Sequence, residues 1–365
     1  RSENQNNSYM KKTLLTVSLL FLLCGISYPQ VTNGSMLATL YDHYSLNFQS
    51  VENAGRGFTG MGSKGSLLSS ALNPASPDFD KHQIYAEYNF KSVPDNAPGL
   101  KQFQPLFSAG FGYSPVKDLH LGVLYRNDRG FRITDSYTTY NFVYHTLSVP
   151  VNYRYKYLRF GINLNLTQYH YSYSSEPSAI YDEEANEYTF LPEIGIAIDP
   201  DESFSLGLVF SPKVEQDVEI TGTNLSNPEH SKIFYPMRFG AGAEFRIPDE
   251  NLKFLFDYRF EKLSDYKMFN WDDEVIFNDR HNFHLGAEYK PEKNLTLRAG
   301  FFTILALKSD LTYYNRILDD EYFFTLGAGY GYRNFKFNFA YLNSAVIRIT
   351  DVSHQAFNFG VIYDF

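Results

Sequence analysis

Apolar and polar residues alternate one for one along most of this chain. The closing stretch, Gln355 to Phe365, is the plainest case: Phe357, Phe359, Val361, Tyr363 and Phe365 fall on one face, and Asn358, Gly360 and Asp364 on the other. Only a β-strand has a period of two. From Gln83 onward the same pattern recurs, beginning with Ile84, Ala86, Tyr88 and Phe90, passing through Leu158, Phe160, Ile162, Leu164 and Leu166, and reaching Phe335, Phe337, Phe339 and Tyr341 before the closing strand. Counted through, it predicts about fourteen strands.

The connections alternate between short and long. The short ones carry turn residues: Ser114-Pro115-Val116-Lys117-Asp118, Asp199-Pro200-Asp201-Glu202, Pro248-Asp249-Glu250-Asn251, Pro291-Glu292-Lys293-Asn294, and the tight Tyr155-Lys156-Tyr157 and Arg333-Asn334. The long ones fall near 93–104, 127–144, 172–186, 212–232, 262–280, 304–320 and 343–354. An up-and-down barrel with two unlike ends has this rhythm, and an even strand number leaves both chain ends on the short-turn side. A soluble double sheet predicts no such regularity. The expected fold is all-β: a single transmembrane antiparallel up-and-down β-barrel of about 14 strands over residues 82–365, preceded by an N-terminal hatch or plug.

Composition agrees with that reading. Tyr (30) and Phe (33) stand against a single Trp, and aromatic residues reach 18% while charged ones are held to 20%. In a barrel, aromatics gather at the two membrane interfaces. The opposite strand face carries Glu87, Arg126, Arg154, Arg159, Glu193, Arg238, Glu244, Lys253, Asp257, Arg259, Glu288, Arg298 and Lys336. Such charges must pair or be hydrated, so this face lines a wet or plugged lumen. At fourteen strands the interior is wider than wall side chains can fill, and something must occupy it or it conducts.

The N-terminal region divides in three. Residues 1–9 are polar, precede the first plausible start, and are set aside as an upstream extension rather than mature protein. Residues 10–27 read as a signal peptide: Met10 with Lys11 and Lys12, an apolar run from Leu14 to Ile26, then the small-x-small Gly25-Ile26-Ser27. That run is too short to span a bilayer as a helix. Cys24, the only cysteine, lies inside it after Leu23, where lipid-attachment sites carry a small residue. The mature chain therefore has no cysteine for disulfides or thiolate metal sites. The net charge of −9 argues against a nucleic-acid partner.

Residues 28–81 lack the period of two and are the expected hatch. They contain Ala54-Gly55-Arg56-Gly57-Phe58-Thr59-Gly60-Met61-Gly62 and Asn73-Pro74-Ala75. The glycines let the backbone turn tightly and approach the wall, Pro74 stiffens the exit into the barrel, and Gly327, Gly329 and Gly331 offer a smooth wall patch. The segment resembles the hatch of the FadL-like outer-membrane transporters, on Arg56, Gly57, Met61, Gly62 and the turn at Asn73, Pro74 and Ala75. The related PorV and PorQ proteins of type IX secretion in Bacteroidetes have a similar opening. This chain carries Gly65-Ser66-Leu67-Leu68-Ser69-Ser70 where the family places an acidic pair, so no substrate is carried over.

The resemblance implies passive transport of a hydrophobic ligand across a Gram-negative outer membrane, with periplasmic termini, lipid around the wall, and Tyr363 and Phe365 as a signal to the barrel-assembly machinery. The alternative it leaves open is a secretion-system component whose loops bind cargo or partner proteins. Pro150 and Pro192, inside predicted strands, are candidate wall kinks for a sideways exit, because proline removes a ladder hydrogen bond. Pro236 also falls beside a strand. Aromatic loop positions, Phe131 to Tyr144 and Tyr313-Tyr314 with Ile317-Leu318, suit an apolar mouth or a protein contact equally.

Catalytic and metal chemistry is not expected. His281 and His284 lie three apart on a strand and point to opposite faces. There is no Gly-x-Ser-x-Gly elbow, His120, His145 and His170 are scattered, and Asp272-Asp273 and Asp319-Asp320 read as solvated loop charge. Neither cofactor nor enzymatic activity is anticipated.

Overall fold

Alternating side chains force each strand to present one apolar and one polar face, and the chain satisfies both by curling into a closed wall. A computed structural model describes residues 50–92, 106–134, 138–175, 182–222, 229–265, 267–270, 273–276, 278–305, 320–346 and 355–365. The signal peptide, Cys24, the hatch before Ser50, and the loop positions Tyr137, Asp272, Tyr313-Tyr314, Ile317-Leu318 and Asp319 lie outside these residues.

The strands in chain order are β1 (Gln83–Ser92), β2 (Leu106–Val116), β3 (Leu119–Thr134), β4 (Thr138–Tyr155), β5 (Leu158–Ser175), β6 (Asp182–Ile198), β7 (Phe204–Ser211), β8 (Val214–Gly222) and β9 (Glu229–Tyr235). They continue with β10 (Arg238–Ile247), β11 (Leu252–Glu261), β12 (Lys267–Asn270), β13 (Asp273–Ile276), β14 (Arg280–Glu292), β15 (Leu295–Ile304), β16 (Glu321–Tyr332), β17 (Phe335–Asn343) and β18 (Gln355–Asp364). Fourteen of them form the barrel, each antiparallel to its chain neighbour, and β1 pairs with β18 to close it. The remaining four extend two connections: β8 and β9 continue the β7–β10 hairpin beyond the wall, and β12 pairs only with β13.

Several stretches expected as loops are strand. β3, β4, β5 and β6 run well past the apolar pattern, to Thr134 and Ser175 and from Thr138 and Asp182, because the cross-strand backbone ladder continues beyond it. Prolines account for the irregularities near the short turns. Pro115 and Pro291 fall within register shifts at Tyr113/Val116 and Tyr289/Glu292, where a missing N–H costs no ladder bond.

Along β18, Ala356, Asn358, Gly360 and Ile362 are buried while Phe357, Phe359 and Val361 are exposed. The outside is consequently a belt of large apolar side chains, and a belt of that extent belongs against lipid. Tyr155, Tyr157, Tyr330, Tyr332 and Phe335 ring its short-turn rim, as expected of an interfacial girdle. Phe365 ends the chain at this rim, its N–H bonded to the His82 carbonyl at 3.0 Å and its ring edge-on to His82.

Candidate functional site

The lumen is filled by the segment from Ser50 to Phe79, whose backbone is held largely by wall side chains, with two short helical turns and a bridge between Gly65 and Pro77 of its own. It opens with one helical turn, α1 (Val51–Gly55), capped by the Ser50 hydroxyl, which accepts from Asn53 N–H at 3.2 Å. Arg56 then folds back, donating to Asn53 Oδ1 at 2.7 Å and to the Thr59 carbonyl at 3.1 Å. Gly57 (φ 73°) and Gly60 (φ 127°) occupy the left-handed region that glycine tolerates without strain. A Cβ on Gly57 would run into the β14 and β15 backbone at Leu285 and Phe301, and one on Gly300 would strike Gly57 from the other side.

Charged and polar groups of the wall grip this backbone at spaced points. Thr325 Oγ1 accepts from Gly57 N–H at 2.9 Å, and Asp257 accepts from Gly60 N–H at 2.9 Å and from Met61 N–H at 3.1 Å. The Ser63 hydroxyl bonds Glu244. Arg159, fully buried, donates to the carbonyls of Gly62 at 2.7 Å, Ser63 at 3.1 Å and Ala75 at 3.0 Å while pairing with Asp199 at 3.0 Å. One guanidinium thereby ties two separate hatch stretches to the wall. Asn73 closes the same knot: its Nδ2 donates to the Met61 carbonyl at 2.7 Å and its Oδ1 accepts from Ala75 N–H at 2.9 Å. Pro74 lies on the wall at Gly161, with its carbonyl 3.3 Å from Asn152 Nδ2.

Asp199 sits in the turn after β6, outside the belt. Burial pushes its carboxyl up, but Arg159, the Ser205 hydroxyl and Lys64 outweigh burial and hold it below the ordinary carboxylate range.

Among the described residues the plug separates two chambers. On the short-turn side a chamber of about 590 Å³ is lined by Arg56, Lys64, Lys253, Glu288, Arg298, Lys336 and Asp364 among others. Glu288 is its hub: Arg298 Nε donates to it at 2.9 Å, and Arg56 and Lys253 both lie 3.8 Å away. On the long-loop side a smaller chamber of about 70 Å³ is lined by Phe58, Met61, Leu72, Phe302 and Ile304 together with Glu193, Arg238, Arg259, Glu261 and Arg280. Phe302 stacks on Phe323 at 4.7 Å and on His284 at 5.6 Å, and meets Phe58 edge-on at 5.1 Å.

Of the residues singled out from the sequence, the hatch positions and four wall charges lie in one cluster, and the others are spread over the lumen and its rim. Arg56, Gly57, Met61, Gly62, Asn73, Pro74 and Ala75 are buried in the knot, and Arg159, Glu244, Asp257 and Arg259 touch it from the wall. Glu288 and Arg298 meet in the lower chamber, whereas Arg238 lines the upper one. Lys336 is at the rim, half-exposed and joined to Asp364 at 2.8 Å. His281 is on the outside with Tyr258 while His284 is buried inside. The expected glycine patch is corrected in part: Gly327 meets Gly55, but Gly329 lies beside Arg298 and Asn338, and Gly331 faces open space. The plug instead rests on Gly161, Gly207, Gly286 and Gly300.

Both candidate kinks lie beside gaps in pairing. The ladder between β4 and β5 passes through Pro150, but pairing with β3 is missing between Leu121↔Val151 and Leu124↔Ser148. β6 pairs with β5 through Pro192, yet on its other edge it pairs with β7 only over 194–198 and with β8 only at Glu183 and Glu184. Residues 185–193 have no ladder partner across this seam among the described residues. Pro212-Lys213 and Pro236-Met237 interrupt the adjoining hairpin at one level, which turns β8 and β9 away. Glu193 bridges the seam instead, accepting from Arg238 at 2.9 Å, Ser211 at 3.1 Å and both Asn163 and Asn165 at 3.2 Å.

The inward aromatics Phe302 and Phe323 were missed. Phe301-Phe302 and Phe323-Phe324 are doublets in strands of strict alternation, so one ring of each must face inward; that signal was available.

No family model matches the chain, and no curated protein matches it. Solved structures do match. The toluene transporter TbuX of Ralstonia pickettii aligns with a TM-score of 0.63 at 12% identity, covering 88% of this chain and 98% of that one. A FadL homologue of Pseudomonas aeruginosa aligns at 0.65 and 13% identity, covering 87% and 100%. The toluene transporter TodX of Pseudomonas putida aligns at 0.61 and 12% identity, covering 85% and 96%. The fold is the FadL-like outer-membrane barrel.

Proposed function

We propose that the protein is a passive channel for hydrophobic small molecules in the outer membrane of a Gram-negative bacterium. The observation that carries this reading is the upper chamber. In a lumen lined mostly by charge, the floor beneath the long-loop mouth is Phe58, Met61, Leu72, Phe302 and Ile304. Apolar side chains in that position, among walls that carry Glu193, Arg238 and Arg259, suit a largely apolar solute arriving from outside. The TbuX and TodX structures, described as toluene transporters, share the barrel and support the reading.

In this reading residues 10–27 direct export, residues 28–81 form the hatch, and both chain ends face the periplasm. Solute settles on the apolar floor and leaves either through the unpaired seam beside Pro192 and Glu193 or past the plug. Pro192 is the better candidate of the two kinks, because its gap adjoins Glu193 and Ser211, which line the chamber.

The test is uptake in a Gram-negative host that lacks channels of its own for such solutes. Expression is expected to raise toluene uptake several-fold and to leave a polar sugar unaffected. Equal uptake of both, or copurification of a stoichiometric partner protein with no bound apolar solute, would overturn the proposal in favour of an open pore or a secretion component.

A further inference from the structure

The upper chamber contains two buried polar atoms that the protein leaves unpaired, and they belong to neighbouring side chains. His284 Nδ1 lies 2.8 Å from the Gly57 carbonyl. A carbonyl can only accept, so Nδ1 carries the proton and Nε2 of the neutral ring is left with a lone pair. That Nε2 is buried with no donor beside it. Arg259 bonds the next plug carbonyl, that of Phe58, through one terminal nitrogen. Its Nε–H is buried too, with no acceptor. The two residues sit on the paired strands β11 and β14, where Asp257 faces His284 and Arg259 faces Asn282, so they are diagonal neighbours gripping successive plug carbonyls. Both line the upper chamber.

A buried donor and a buried acceptor on diagonally paired strand positions each forfeit a hydrogen bond, and native interiors rarely leave such atoms without a partner. One chemical group answers both. A hydroxyl donates its proton to one neighbour and accepts from another through the same oxygen, whereas a hydrocarbon can do neither and a carboxylate can only accept. The surroundings state what the hydroxyl is attached to. Phe302 is sandwiched between His284 and Phe323 and met edge-on by Phe58, so the floor open to a solute is Phe58 with Met61 and Leu72 beside it.

Resting on the transport reading above, we propose that the upper chamber is a binding site for aromatic alcohols: the ring lies on the apolar floor of Phe58, Met61 and Leu72, and the hydroxyl bridges His284 Nε2 and Arg259 Nε. The channel then distinguishes a phenol from the corresponding hydrocarbon. Its specificity resides in His284 and Arg259, and the apolar floor supplies affinity common to both.

Binding of toluene, 4-methylphenol and 4-methylbenzoate to the purified full-length protein in detergent tests this, since the three share one ring and differ in one group. Two hydrogen bonds of ordinary strength correspond to a preference on the order of tenfold for 4-methylphenol over toluene. His284→Phe keeps an aromatic ring but removes the acceptor, and should bring that ratio towards one. Toluene binding as tightly as 4-methylphenol would mean that a water molecule serves the pair and would overturn the site. Tightest binding of 4-methylbenzoate would overturn it in favour of an anion site at Arg259. If none of the three binds, the transport reading itself falls. The comparison on unmodified protein is decisive even where the variant fails to assemble.

Discussion

Arg159 does more for the plug than any other single side chain. Its guanidinium serves the carbonyls of Gly62, Ser63 and Ala75 and the carboxylate of Asp199 from a fully buried position. Arg159→Met would leave three carbonyls and a half-desolvated carboxylate without that partner, a loss of about 3–5 kcal/mol by comparison with other broken buried pairs. The expected outcome is faster amide hydrogen exchange over 60–76 with the barrel intact. Asp199 makes the knot sensitive to acid. Its carboxyl is held below the ordinary range, so its contribution is fully present above the unfolded value and is lost as pH falls through the lower folded one. Single-channel current should therefore be steady near neutrality and rise in strong acid, and Asp199→Asn should show the loosened behaviour already at neutral pH.

Among the elements, β14 and β15 form one stretch of wall against which the hatch lies tightly, with Gly57 against Gly300 and Arg56 beside Gly286. β14 and β15 are held by ladders on both edges, whereas the plug has two short helical turns and side-chain contacts. If a side chain is added between them, the plug must give way. Gly300→Val should displace residues 56–58 and increase conductance several-fold, measured in planar bilayers, while the folded barrel keeps its heat-modifiable mobility on gels. The seam beside β6 follows the same logic in reverse. With pairing absent over 185–193, the wall there depends on the two donors that reach Glu193 across the seam, Ser211 and Arg238, rather than on backbone bonds.

For the molecule as a whole, closure of the barrel is the event that joins its parts. β1 and β18 are nearly 300 residues apart in sequence and pair along their full length, Gln83↔Asp364 to Ser92↔Gln355. Phe365 extends that last strand, bonded to the His82 carbonyl, with its ring stacked on Tyr363 and exposed at the rim. An exposed terminal aromatic contributes little to the folded wall, so we expect deleting Phe365 to affect assembly more than stability. Folded protein in the outer membrane should drop several-fold, with the thermal transition of the remainder nearly unchanged; equal yields would show that the terminal ring is dispensable.

The strand count, the two faces of each strand and the alternation of short and long connections were legible in the sequence because they are local: a period of two and a turn residue are properties of consecutive positions. The hatch was legible for the same reason, through its glycines and the Asn73-Pro74-Ala75 turn. What tertiary structure alone decided was which groups meet across the lumen. Arg159 and Asp257 read only as inward charges, yet one reaches Gly62, Ser63 and Ala75 while the other caps Gly60 and Met61. Asp199 looked like an ordinary turn residue until Arg159 was found beside it. Pro192 signalled a missing N–H, but the seam depends equally on the break at Pro212 and Pro236 in the neighbouring hairpin. Ladder register and the path of the plug set these meetings, and both depend on residues far apart in the chain, so no local pattern could encode them.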